Sequence, residues 1–175
     1  MTVVVLGLGN PLCGDDGAGP AVVAALPRLP GVRTVPRVSD PAELLDAWAG
    51  AELAVLVDAV GGPIPPGTVL RFTGEDGWPR GARRGGHTLD VAETVHLGQV
   101  LDRLPRRLVL IGIVGTDFEP GQGLSAAVAA SIPVAVRTIL AEGLWSRQVG
   151  QNDRFAESPE GVVYREEGAA TRKER

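Results

Sequence analysis

Two acidic residues and one histidine stand where the chain could hold a metal ion beside a reacting water molecule. Asp16 lies at the far end of the glycine-rich turn that follows the first apolar run, and Asp58 directly follows the apolar residues 53–57. His87 follows a pair of glycines, whose backbone freedom would let the imidazole reach the same place. Two carboxylates and an imidazole with open coordination positions are typical of a divalent transition-metal site. We therefore predict a metal site formed by Asp16, Asp58 and His87.

Each of these three residues also has a simpler interpretation. An aspartate before a helix commonly caps it, so that Asp16 or its neighbour Asp15 could serve only as a cap. Asp58 could form a turn with the glycine-rich loop after it, and His87 could be an ordinary loop histidine. Spacing alone does not separate these interpretations.

The other residues with reactive side chains, Cys13 and His96, are weaker candidates for a role in catalysis or metal binding. Cys13 lies in the glycine turn near a helix start, where a thiol can become nucleophilic, but no third group is evident to orient His87 as its base. A small buried filler is the expected role of Cys13. His96 falls on the polar face of a predicted helix, which indicates exposure to solvent.

The glycine turn also invites comparison with the fingerprint of dinucleotide-binding proteins. That fingerprint requires a third glycine where Leu12 stands, and it does not place carboxylates against a pyrophosphate at a helix start. The turn therefore suits a cation better than a dinucleotide.

Apolar runs and helix signals predict the elements that position these residues. Strands are expected at residues 3–6, 32–38, 53–57, 68–73 and 108–114, and helices at about 17–26, 41–48, 91–104 and 126–145. The most apolar strand, 53–57, should be central and end at Asp58, whereas 68–73 should be an antiparallel edge. Open α/β sheets bind ligands at the carboxyl ends of their strands, so Asp16 and Asp58 are expected at one edge of the sheet.

Composition bounds the possible functions. The chain has 175 residues, 44% of them hydrophobic, which is enough for one domain with a sizeable core. A net charge of −4 and 4% aromatic residues argue against a nucleic-acid surface. A single cysteine excludes a disulfide framework. No apolar run approaches the roughly 18 residues of a membrane span and no basic segment precedes the first strand, so no membrane insertion and a cytoplasmic location are expected.

These features predict one α/β domain over residues 1–149. The residues from 150 to 175 are mostly polar and charged, with little to bury, and are expected to form a flexible tail.

The order of the motifs along residues 2–142 resembles that of the hydrogenase maturation proteases. The shared motifs are the turn of residues 7–12, the Asp15-Asp16-Gly17 run, Asp58 after an apolar strand, and Gly86-His87 before a helix; further matches are Leu104-Pro105, the strand of residues 108–115, and Leu124-Ser125 with Pro133 in the last helix.

The resemblance implies an α/β three-layer sandwich of the phosphorylase/hydrolase-like kind, with a twisted, five-stranded, mostly parallel sheet and helices on both faces. It also implies an endopeptidase that removes a C-terminal extension from the large-subunit precursor of a nickel-iron hydrogenase after nickel insertion. The family's metal-binding residues fall on Asp16, Asp58 and His87; position 16 is glutamate in some members. The implied metal is Ni²⁺, bound by the protease or carried by the precursor's cysteines, and Zn²⁺ or Cd²⁺ could substitute for it.

The resemblance assigns no catalytic residue. The simplest chemistry is a metal-polarised water or carbonyl, with a free carboxylate such as Asp15 as the base. Two other functions use similar features. A non-catalytic nickel-binding assembly module would need the same ligands. Peptidyl-tRNA hydrolase also opens with a strand followed by Gly-Leu-Gly-Asn-Pro, but the acidic net charge is wrong for binding tRNA.

Overall fold

A computed structural model describes residues 2–73, 90–121, 123–148 and 162–165, with the backbone alone for 143–148 and 162–165. The elements in chain order are β1 (Val3–Leu8), a 3₁₀ turn (Gly14–Gly17), α1 (Ala18–Ala25), β2 (Val32–Val38), α2 (Pro41–Trp48), β3 (Leu53–Val60), β4 (Val69–Thr73), α3 (Val91–Val100), β5 (Arg107–Val114), α4 (Ala126–Gln148) and β6 (Val162–Arg165). None of the described helices is long and apolar enough to cross a membrane.

The strands form one mixed sheet in the order β2-β1-β3-β5-β4-β6. Strands β1, β2, β3 and β5 are parallel, and β4 is antiparallel to β5. The prediction of five mostly parallel strands with β3 at the centre is confirmed. Because the carboxyl ends of β1, β3 and β5 meet at one edge of the sheet, which we call the carboxyl edge, the side chains that follow them are brought together there.

Helices cover both faces of the sheet, which confirms the three-layer arrangement. Helices α2 and α3 pack together on one face, where Trp48 is fully buried with Leu56. Helices α1 and α4 pack together on the other face, over a core that includes Val22 and Ile111. All eight residues of β3 are buried, as expected for the central strand of a sheet with helices on both sides.

A sixth strand lies outside the predicted fold. Strand β6 pairs in parallel with β4, so β4 is not the edge strand that the sequence predicted. The same pairing corrects the expectation that residues 150–175 contain only flexible tail. The sequence Val162-Val163-Tyr164 has high strand propensity, and β4 would otherwise present unpaired backbone groups on that side.

Four predicted element ends were wrong by two to four residues, since β1 extends to Leu8 instead of residue 6 and α4 to Gln148 instead of about residue 145, and β3 and α3 also differ. Strand β3 does not end at Asp58 but continues to Val60, because Ala59 and Val60 are apolar and still pair with β5. Asp58 therefore lies inside the strand, opposite Gly112. Helix α3 ends at Val100 instead of about residue 104, since Asp102 adopts the left-handed conformation with φ 53° and stops the helix.

Candidate metal centre

The structure places Asp16 and Asp58 at the carboxyl edge, on neighbouring elements. Asp16 belongs to the 3₁₀ turn after β1, and this turn packs against β3, which contains Asp58. Both side chains are buried, since Asp16 is 8% exposed and Asp58 7% exposed. The sequence correctly predicted that these two carboxylates share one edge of the sheet.

Close backbone packing holds the two acidic segments against each other. A Cβ atom built on Gly19 in the first turn of α1 would lie 2.3 Å from the carbonyl oxygen of Leu8 and 2.4 Å from that of Val57. The start of α1 therefore touches the backbones of β1 and β3 directly. Because Val57 immediately precedes Asp58, this contact sets how far Asp58 lies from the turn that carries Asp16.

Asp16 does not cap a helix, which was the simpler of the two roles that the sequence allowed for it. Neither the 3₁₀ turn nor α1 has a side-chain hydrogen bond at its N-cap. The Oδ2 atom of Asp16 instead accepts a hydrogen bond from the backbone N–H of Asn10 at 2.7 Å, across the turn. This bond holds the Asp16 carboxylate against Asn10, at the beginning of the glycine-rich turn.

Asp58 is a carboxyl group in an environment that disfavours its charge. Burial raises the pKa of Asp58 to about 7, although a hydrogen bond from the Ala59 backbone acts in the opposite direction. Buried carboxyl groups with raised pKa values occur at sites where a proton or a cation is handled. A cation next to Asp58 would offset the cost of its charge.

Asp15 has a different role from the free base that the sequence suggested. Its side chain is fully buried and accepts hydrogen bonds from the backbone N–H groups of Thr116 at 2.9 Å, Asp117 at 3.2 Å and Ser125 at 2.7 Å. Burial acts to raise the pKa of Asp15, but the hydrogen bonds from Thr116, Ser125 and Asp117 outweigh it and lower that pKa below its ordinary value. An already bonded carboxylate with a lowered pKa is a poor base, so that hypothesis was wrong. Asp15 instead ties the 3₁₀ turn to the connection between β5 and α4.

Replacing Asp15 by asparagine is expected to lower the free energy of unfolding at pH 7 by about 2 kcal/mol, because an amide cannot accept all three hydrogen bonds. A carboxyl group whose pKa is lower in the folded state stabilises the fold at pH values above its ordinary pKa. This contribution is lost as the pH falls through the pKa of the folded state. In urea unfolding, the difference between D15N and the wild type should therefore shrink between pH 7 and pH 3. Asp117→Asn is the control, since an asparagine there can still accept the bond from Glu119 N. Equal stability of D15N and wild type at pH 7 would contradict this role.

His87 lies outside the described residues, so its predicted metal role stays a prediction. Within the described part of the chain, no group of three or more His, Cys, Asp or Glu side chains is placed to hold a metal ion. The other histidine, His96, is exposed on α3, as predicted. Cys13 is only partly buried, and its Sγ accepts a hydrogen bond from Asn10 Nδ2 at 3.3 Å. It is therefore part of the turn before Asp16 instead of a fully buried filler.

Sequence reasoning missed the contribution of Asn10 and misassigned Asp15. Asn10 did carry a local signal, because asparagine before proline favours a turn in which its side chain bonds the backbone two residues on. Asp15 carried none, because its partners are 101 to 110 residues away along the chain.

The fold and site define an α/β protein with two buried carboxylates at the carboxyl ends of its parallel strands, and the comparisons with known proteins agree on its class. The family model described as hydrogenase maturation protease, HycI, matches residues 39–142. The chain therefore belongs to the hydrogenase maturation protease family.

Individual relatives cover most of the chain. The hydrogenase expression/formation protein HoxM of Azotobacter vinelandii is 32% identical over 171 residues, which span 90% of this chain and 82% of HoxM. The hydrogenase 2 maturation protease of Escherichia coli K12 is 29% identical over 147 residues, or 81% of this chain and 90% of that protein. The solved structure of the hydrogenase maturating endopeptidase HybD from E. coli superposes with a TM-score of 0.74 at 27% identity, covering 83% of this chain and 94% of HybD.

Proposed function

We propose that this protein is an endopeptidase that removes the C-terminal extension of a nickel-iron hydrogenase large-subunit precursor after nickel insertion. The observation that carries the proposal is the pair of buried carboxylates, Asp16 and Asp58, at the carboxyl edge of a fold that belongs to the maturation proteases. The same proposal locates the protein in the cytoplasm, together with its precursor. Family membership disfavours the alternative of a peptidyl-tRNA hydrolase.

The donor atoms fit nickel. Asp16 and Asp58 would supply carboxylate oxygens, and His87 would supply an imidazole nitrogen, which is a mixed set suited to a divalent transition-metal ion. The cost of burying the Asp58 charge, visible in its raised pKa, is what a nearby cation would relieve. Nickel carried by the precursor would then be part of the substrate, and binding it would fix the precursor at this edge.

The way in which α3 connects to β5 supports the assignment of His87 as a ligand of the proposed metal site. Residues 101–106 join the end of α3 to the start of β5, which lies at the edge opposite the acidic residues. The start of α3 is therefore directed towards the carboxyl edge, and Asp90, which caps α3, follows His87 by only three positions in the sequence. Three residues span at most about 11 Å.

A processing assay tests the proposal. The purified protein is incubated with the nickel-loaded and the nickel-free precursor, and the mass of the large subunit is measured. We expect a C-terminal mass loss with the loaded precursor only. His87→Ala should abolish this loss, because it removes the only nitrogen ligand of the proposed site. The chain contains two histidines, so His96→Ala on the exposed face of α3 is a matched control that should process normally.

Each other outcome has a defined meaning. Normal processing by H87A would remove His87 from the site. Mass loss with both precursors would show cleavage without the proposed dependence on nickel. Binding of the loaded precursor with no mass loss would instead identify a non-catalytic nickel-binding assembly module.

A further inference from the structure

Asn10 uses both its backbone and its side chain to hold the turn between β1 and Asp16. Its backbone N–H donates to Asp16 Oδ2 at 2.7 Å, and its carbonyl oxygen accepts from Cys13 N at 3.0 Å. Its side-chain Oδ1 accepts from Leu12 N at 3.1 Å, and its Nδ2 donates to Cys13 Sγ at 3.3 Å. One residue therefore connects residues 12 and 13 of the turn to the Asp16 carboxylate.

Glycines flank the turn. Gly9 has φ 109° and Gly14 has φ 54°, conformations that glycine adopts without steric cost but does not enforce, because it populates others as readily. Hydrogen bonds hold the turn: Leu12 O accepts from Gly121 N at 2.9 Å, and within the turn the Asn10 side chain makes its bonds to Leu12 and Cys13. They fix the orientation of the Asn10 peptide, whose N–H meets Asp16.

We infer that Asn10 is a positioning residue for Asp16. Its side chain locks the turn of residues 10–13, so that its backbone N–H holds Oδ2 and the carboxylate keeps one orientation. Groups that hydrogen-bond to a metal ligand set the direction of its lone pairs, and their removal weakens metal binding even though they do not touch the metal. The inference rests on the proposed function, because it takes Asp16 to be a nickel ligand.

Nickel affinity, measured separately from stability, tests this role. Dissociation constants for NiCl₂ are measured by calorimetric titration of the wild type, Asp16→Ala, Asn10→Ala and Asn10→Ser, and unfolding of the same metal-free proteins is followed in urea. We expect N10A to raise the Kd about 10-fold or more. A serine hydroxyl can still accept a hydrogen bond from the backbone two residues on, so N10S should stay within about threefold of the wild type.

A matched control separates positioning from a general loss of stability. Thr138→Ala removes one side-chain bond to the backbone, from Thr138 Oγ1 to Val134 O at 2.9 Å, in the interior of α4. Residue 138 lies about 18 Å along α4 from its first residue, well away from the turn before Asp16. T138A should lose stability but leave the Kd for nickel within about twofold of the wild type.

The possible results are distinct. If the wild type binds nickel and D16A does not, while N10A binds like the wild type, the proposed site stands and the role of Asn10 is overturned. An equal loss of affinity in T138A and N10A would also overturn it. If the wild type does not bind NiCl₂, the same comparison is made with the nickel-loaded precursor. If D16A binds nickel in either form as well as the wild type, the assignment of Asp16 as a ligand fails and the inference fails with it.

Discussion

Asp58→Asn is expected to abolish precursor processing and, at the same time, to make the metal-free protein more stable at pH 8. The amide would keep the shape of the side chain but lose the charge that a nickel ion requires. Loss of a group that only hydrogen-bonds to a metal ligand costs roughly 10–100-fold, and loss of the ligand charge itself should reduce processing by more than that. The gain in stability has a separate cause, because the wild-type carboxyl is 7% exposed and burial raises its pKa to about 7.

The sign of the pH effect follows from the protons bound in each state. Between the ordinary value of 3.8 and about 7, the folded protein keeps the Asp58 proton while the unfolded chain releases it. The free energy of unfolding therefore falls as the pH rises through this range, and it changes no further above it. The wild type should be less stable than D58N by about 2–4 kcal/mol at pH 8, with the difference vanishing near pH 4.

Urea unfolding of the metal-free proteins at pH 4.5, 6 and 8 measures this difference. Asp46→Asn is the control, because Asp46 is an exposed carboxylate whose side chain is 73% accessible and whose pair with Arg103 lies on the surface. D46N should change the unfolding free energy by less than about 1 kcal/mol. A D58N protein that is less stable than the wild type at pH 8 would show that the carboxylate stabilises the fold, contrary to this prediction.

Gly19→Ala is expected to destabilise the protein by about 3 kcal/mol or more, the opposite of the usual effect in a helix. Alanine normally stabilises a helix by up to about 1 kcal/mol relative to glycine. Here the added Cβ would meet the carbonyl oxygens of Leu8 and Val57 at 2.3 and 2.4 Å, and both are backbone atoms that cannot rotate away. Helix α1 would have to move off the sheet.

The same movement would separate the turn that carries Asp16 from the strand that carries Asp58. G19A should therefore lose nickel affinity in a calorimetric titration as well as stability in urea. Gly123→Ala is the matched control, since a Cβ at Gly123 has no atom within 4 Å, and it should change stability by less than about 0.5 kcal/mol. If G19A were as stable as the wild type, the close backbone approach of α1 would be refuted.

Local signals in the sequence were sufficient for most of the elements. The Asp40-Pro41-Ala42-Glu43 run correctly predicted a helix start, in which Asp40 accepts from Glu43 N at 2.9 Å and Glu43 accepts from Ser39 N at 2.9 Å. The short connection before β4 correctly indicated an antiparallel strand, because a parallel strand would have needed a crossover helix. Strand β6 escaped prediction because pairing of a short segment depends on a partner edge far away in sequence, which local propensity does not encode.

By itself, the sequence determined the order of the strands and helices from β1 to α4, the central place of β3 and the meeting of Asp16 and Asp58 at one edge. It could do so because apolar periodicity, helix caps and parallel topology are local or general properties. Only the tertiary structure decided what each aspartate does there. Asp15 and Asp16 are adjacent and identical in type, yet one bonds to a connection more than 100 residues away while the other accepts from Asn10 across its own turn. The charge state of Asp58 depends on its burial in the folded protein. Hydrogen-bond partners and burial are properties of the folded packing, and the residue types along the chain do not specify them.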